Sequence, residues 1–90
     1  MLVRLTEAFE IPANSTYGLR EVSINPEHVT ALRHDGLAKS ALNENRMPPG
    51  LSKTAEFTRV YMNNGLNVLV VGTPDMLEQK FSSQKTLLKG

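Results

Sequence analysis

Phe57-Thr-Arg-Val-Tyr-Met-Asn-Asn-Gly-Leu-Asn-Val-Leu-Val-Val71 is the stretch that decides how this chain folds. Its β-branched and aromatic side chains flank Asn64-Gly65, and Asn-Gly between such runs is the strongest short signal for a hairpin. A type I′ turn needs positive φ at both central positions, which asparagine and glycine tolerate. Counting outward from a two-residue turn pairs Asn63 with Leu66, Met62 with Asn67, Val60 with Leu69 and Thr58 with Val71. Tyr61 then opposes Val68, and Arg59 opposes Val70. Apolar side chains fall on both faces, so the hairpin is expected in the middle of a sheet or beneath a covering segment.

Downstream, Gly72 ends the strand and Thr73-Pro74-Asp75 opens a helix. Threonine caps the free N–H groups, proline suits the first helical position, and aspartate suits the positive end of the dipole. Leu77 and Phe81, four apart, form with Met76 an apolar stripe that can lie on the sheet. Ser82-Ser83 weakens the helix, and 84–90 is expected as a frayed tail.

Upstream, residues 2–9 alternate, with Val3, Leu5 and Glu7 on one side, and predict a first strand. Pro12, Asn14, Ser15, Thr16 and Gly18 predict a loop over 11–18. Residues 20–24 alternate again, with Val22 and Ile24 sharing a face. Asn25-Pro26 stops them in a tight turn. Residues 29–33 predict a short strand with Val29 and Ala31 inward, reached through a corner. The fold class is α+β: a small twisted antiparallel sheet of four or five strands, a C-terminal helix and a long inserted loop, in one domain over 1–90.

Ninety residues support one core, and a chain of this size buries only about 60–65% of its unfolded surface. Cysteine is absent, so neither disulfides nor thiolate metal sites contribute. Self-association as a homo-oligomer is an expected aid. The net charge of +1 gives no support to a nucleic-acid partner and does not remove one. Glu7 and Glu10 interrupt any leader-like block, and the longest apolar run, 68–71, is far below the ~20 residues that span a bilayer. A cytoplasmic, soluble protein with no membrane association is expected.

Residues 34–56 hold Gly36, Pro48, Pro49 and Gly50, show no strand alternation, and predict a long flexible loop. Residues 37–44 can form a short helical turn, with Leu37, Ala41 and Leu42 on one side. Met47-Pro48-Pro49-Gly50-Leu51 places apolar side chains around a stiff proline pair. Such a segment either packs back on its own domain or docks on a partner, and proline lowers the ordering cost of docking. Met47, Pro48, Pro49, Leu51 and Tyr61 are therefore the candidate protein-binding residues, and a chain lacking 39–53 is expected to fold and lose its partner. Arg33, Lys39, Arg46, Lys53 and Arg59 form the alternative site, a basic arm beside an aromatic that would follow a phosphate backbone.

Other chemistry finds little footing. His28 and His34 lie about 20 Å apart if 29–33 is extended, too far to share a metal. No Gly-x-Ser-x-Gly elbow is present, the carboxylates are scattered, and the glycines do not gather into a phosphate-cradling loop. Gly72-Thr-Pro-Asp is read as a helix cap, and Asn14-Ser-Thr16 as a turn in place of a glycosylation acceptor. No cofactor, no metal and no enzymatic activity are expected.

Val22-Ser-Ile-Asn-Pro-Glu-His-Val29, Thr58-Arg-Val-Tyr-Met-Asn-Asn-Gly65 and 68–78 resemble the small bacterial flagellar FlbD family. That family runs a strand, an Asn-Pro-like corner with Ile or Val three residues on, an Asn-Gly hairpin and a short helix. The resemblance covers roughly half the chain. It implies the topology and a small regulatory role without catalytic residues. The first loop is longer than the family's, and 34–56 is inserted where the family has a few residues. Such compact insertions are also similar to those of small bacteriophage proteins. The expected function is a small non-enzymatic regulatory or interaction module binding a partner protein through 34–56 and the hairpin face. The alternative is a nucleic-acid-binding regulator.

Overall fold

Five strands form a single antiparallel sheet in the order β2-β1-β5-β4-β3 in the computed structural model of the chain. They are β1 (Val3–Ile11), β2 (Thr16–Ile24), β3 (Val29–His34), β4 (Phe57–Met62) and β5 (Asn67–Val71). Helix α1 spans Gly36–Asn43 and α2 spans Pro74–Lys89. The structure describes residues 1–89, with side chains through residue 83, so the tail expected over 84–90 lies outside the fully described residues.

The hairpin forms where expected, one residue out of the expected register. Met62 N donates to Leu66 O at 2.9 Å and Gly65 N donates to Met62 O at 3.1 Å, so the loop is Asn63-Asn64-Gly65. Gly65 alone in that loop has positive φ, +87°. This is a type I turn followed by a glycine bulge, not a type I′ turn. Asn64 keeps a negative φ and uses its side chain instead, accepting a bond from Leu66 N at 3.0 Å. The strand partners are Phe57–Val71, Thr58–Val70, Arg59–Leu69, Val60–Val68 and Tyr61–Asn67. A slip of one residue exchanges the faces of β5 relative to β4.

That register sorts the core. On one face Val60 and Val70 join Val3, Leu5 and Ile24 beneath Leu77 and Phe81 of α2. On the other, Phe57 and Leu69 join Ala8 beneath Ala38 of α1, with Met47 and Leu51 packed against them. The hairpin is thus central, covered along one face by α2 and over the Phe57–Leu69 end of the other by α1 and the segment after it. Thr58, fully buried, satisfies its hydroxyl by donating to Gly72 O at 2.8 Å. Thr73 Oγ1 caps α2 by accepting from Met76 N at 3.1 Å. Met76 itself is 52% exposed and leaves the expected stripe, because it sits about 100° around the helix from Leu77.

Two strand limits differ from expectation. β1 runs to Ile11 and β2 begins at Thr16, so the region read as a loop over 11–18 is strand at both ends, and only the 3-10 turn Pro12–Asn14 and Ser15, at φ 57°, close it. Gly18 fits there because the Phe9 ring lies flat across it, well inside the space a Cβ would fill. In β3 a bulge between Val29 and Ala31 turns Leu32 toward the core and leaves Ala31 exposed.

β2 and β3 are the outer strands, yet only 25–28 joins them. Asn25 caps that link by accepting from Glu27 N at 3.0 Å. A flat five-stranded sheet would set its outer strands about 19 Å apart. Five fully extended Cα steps reach at most about 18 Å, and the 3-10 turn Pro26–His28 shortens them. The sheet is therefore curled at this end, and α2 lies within the curl.

Residues 34–56 carry more structure than a loop. Asp35 caps α1, its Oδ1 accepting from Ala38 N at 2.9 Å. Arg46 N then donates to Ala41 O at 2.9 Å, and Tyr17 N donates to Arg46 O at 2.9 Å, which ties the segment to β2. Among the described residues no helix is long and apolar enough to cross a membrane.

Candidate functional site

The second sheet face is graded by rows of paired residues. Val71 and Phe57 lie under α1 and its extension. The next row is Leu69, Arg59 and Arg33, and the row beyond it is Asn67, Tyr61 and Ala31. Covering chain stops at Arg59. Its guanidinium donates Nε and Nη2 to Asp35 Oδ2 at 3.2 Å and 3.1 Å, and Nη1 to Asn67 Oδ1 at 2.8 Å. Beyond it the face is open: Arg33 is exposed, Tyr61 is half-buried, and the Arg33 guanidinium stands 6.0 Å from the Tyr61 ring centre.

Of the candidate protein-binding residues, Met47 and Leu51 are half-buried against Phe57 and Leu69, where they close their own core. Pro48 is half-buried and Pro49 exposed. Removing 39–53 would therefore strip the second core cluster of its cover, so the expectation that the chain folds without it is replaced by expected unfolding. Tyr61 stands apart from that segment on the open rows.

The five candidate cations are not assembled into one free surface. Arg59 is held by Asp35, whose side chain is only 12% exposed. Arg46 pairs with Glu44 at 2.8 Å and donates Nη1 to Ser15 O at 3.2 Å. Lys39 Nζ donates to Lys53 O at 3.2 Å and Ala55 O at 2.8 Å and pairs with Glu56 Oε2 at 3.0 Å, so its three protons meet three acceptors. Arg33 and the exposed Lys53 side chain have no ion-pair partner among the described residues.

Three further groups shape the electrostatics. His34 Nε2 lies 2.7 Å from Glu56 Oε1, and this hydrogen bond, followed by that from Lys39, holds the Glu56 carboxyl below the usual range. Tyr17 is pushed up by burial first, then by Glu10 and Asp35. Arg20 donates Nε to Glu7 Oε1 at 2.9 Å while stacking 4.4 Å from the Phe9 ring centre, and the Glu7 bond raises its already high pKa.

No group of three His, Cys, Asp or Glu side chains that could hold a metal occurs among the described residues. A groove of about 580 Å³ runs between the start of β1 and α2 and is lined by Leu2, Arg4, Met76 and Lys80 among others. Asp35 and Asn67, which fix Arg59, were not visible as site residues in the sequence. An aspartate three residues before Ala38 is a helix-cap signal that could have revealed the first. Asn67 carries no such signal. No family model matches the chain, and no curated protein or solved structure matches it either.

Proposed function

We propose that this chain is a small non-enzymatic interaction module whose protein partner docks on the open rows of the hairpin face, centred on Tyr61 and Arg33. The observation that carries the reading is the Arg33 guanidinium over the Tyr61 ring, on a sheet face that its own chain leaves uncovered. Tyrosine and arginine are among the side chains that most often anchor interfaces, tyrosine because it buries much area with few rotatable bonds and arginine because its planar guanidinium stacks and donates several hydrogen bonds at once. The neighbouring Leu66, 65% exposed at the hairpin tip, adds apolar surface. The outer side of 34–56, with Leu37 79% exposed and Pro49, completes the docking area. Proline keeps that part stiff, so little conformational freedom is lost on docking. A regulatory role, the kind implied by the FlbD-like resemblance, is consistent with a module that acts by occupying a partner.

Affinity capture from the native host, with and without nuclease, tests this. The expected outcome is a nuclease-resistant partner retained by the native chain and lost with Tyr61→Ala or Arg33→Ala, both of which should stay folded. A partner released by nuclease would favour the nucleic-acid alternative. Retention by both variants would remove the hairpin face from the reading.

A further inference from the structure

β2 is an edge strand, and its outward backbone groups follow from one bond. Tyr17 N donates away from β1, to Arg46 O at 2.9 Å. In an antiparallel ladder alternate residues direct both N–H and C=O to the same side, so Leu19, Glu21 and Ser23 also point outward. None of these three N–H groups has a partner among the described residues. The opposite edge, β3, is broken by its bulge, a common protection of exposed edges. The chain thus lays a single carbonyl on a regular strand edge and leaves the next three positions open.

We infer that the β2 edge takes an extended segment of another protein as an added antiparallel strand, with a basic side chain opposite Glu21 and an apolar one opposite Val22. The side chains set that chemistry. Glu21 is 76% exposed and only loosely paired with Arg4, at 3.8 Å, so it faces an incoming strand with its charge largely unmet. Val22, on the other face, is half-buried at the margin of the first core cluster. Arg20 makes no demand, being held by Glu7 and Phe9.

A second copy of this chain is a poor occupant. Only odd-numbered positions point outward, so two copies centred on this edge place Arg20 opposite Arg20 or Glu21 opposite Glu21, and centring on Leu19 sets Glu21 against Tyr17, whose N–H is already taken by Arg46 O. Like charges directly opposed destabilise a strand pair. Centring on Val22 leaves only Glu21 and Ser23 in the ladder before the buried Pro26 ends the strand. The inference shares with the proposed function the premise that the chain acts by binding, and it uses a different surface.

The test is a titration of the full chain, followed by amide NMR, with the probe peptide acetyl-Thr-Val-Lys-Thr-Val-amide and its Glu-for-Lys counterpart. The expected result is shifted and exchange-protected amides at Leu19, Glu21 and Ser23. The Lys peptide should bind roughly three- to tenfold more tightly than the Glu peptide, and the Glu21→Lys variant should reverse that order. Equal binding of the two peptides, or no change at these amides, would overturn the inference. So would concentration-dependent protection of the same amides without peptide, which would make a second copy the occupant. Tyr61→Ala should leave the titration unchanged, so a failure here and a failure of the hairpin-face reading are separately visible.

Discussion

Arg59 and Asp35 are 24 residues apart in sequence, and Arg59 donates two hydrogen bonds to one oxygen of the Asp35 carboxylate, at 3.2 Å and 3.1 Å. The other oxygen caps α1. One side chain thus sets both where the helix begins and where it sits on the sheet. Asp35→Ala removes the cap and leaves a half-buried guanidinium without its carboxylate. The expected loss is about 1–3 kcal/mol in urea unfolding. Asp35→Asn, which keeps a capping oxygen, should lose less.

Gly18 is occupied from across the strand pair by the Phe9 ring. Gly18→Ala must displace that ring and with it the Arg20 stack, at an expected cost of about 1–3 kcal/mol. Thermal unfolding of Gly18→Ala beside Gly18→Ala/Phe9→Leu checks the mechanism, because the smaller, more flexible side chain should recover part of the loss.

Gly65 holds φ +87° with no neighbouring atom near the position of a Cβ. The penalty for Gly65→Ala is therefore backbone strain alone, about 1–2 kcal/mol. Gly65→Asn should cost less, since asparagine visits the left-handed region more readily. Equal penalties measured by chemical denaturation would contradict the bulged turn.

The His34–Glu56–Lys39 cluster makes stability depend on acid. A carboxyl whose folded pKa is depressed adds stability above its unfolded pKa, about 4.3, and that addition is lost as pH falls through the lower folded value. Glu56→Gln should flatten the fall in stability below about pH 4.3 and leave the profile's shape at higher pH unaltered by this carboxyl. Denaturation midpoints of both proteins across that range decide it.

Met47→Ser or Leu51→Ser should lower stability by roughly 1–3 kcal/mol each, because both side chains cover Phe57 and Leu69. If either variant lost partner capture with unchanged unfolding, these residues would belong to the interface.

The elements legible in the sequence were those with a local cause. Thr73-Pro74-Asp75 capped α2, Asn25-Pro26 made the corner, and Asn64-Gly65 made a hairpin. Register was not legible, because apolar residues on both faces of 57–71 fit either pairing and the choice between a two- and a three-residue loop is made by backbone geometry at Gly65. The start of β2 was hidden by Thr16 and Gly18, whose turn-forming character is overruled by nine ladder pairs with β1, while Ser15 does stay in the turn. Of the residues proposed for docking, Tyr61 and Arg33 were among the candidates named from the sequence, the first for a protein partner and the second for a nucleic-acid one. The confinement of Lys39 and Arg59 was not legible, since each is satisfied by a group that folding alone brings near, whereas Arg46 pairs with Glu44 two residues away.

The four residues that link the outer strands act as the string of a bow, bending the sheet around α2. Lengthening 25–28 by a few glycines would let the bow relax. Leu77 and Phe81 would then meet a flatter surface and lose contact with one flank or the other. Tolerance of inserted length at this corner should be far lower than at the hairpin tip, where extra residues disturb the turn and the bond from Asn63 N to His28 O, at 2.8 Å, and leave the link between the outer strands unchanged.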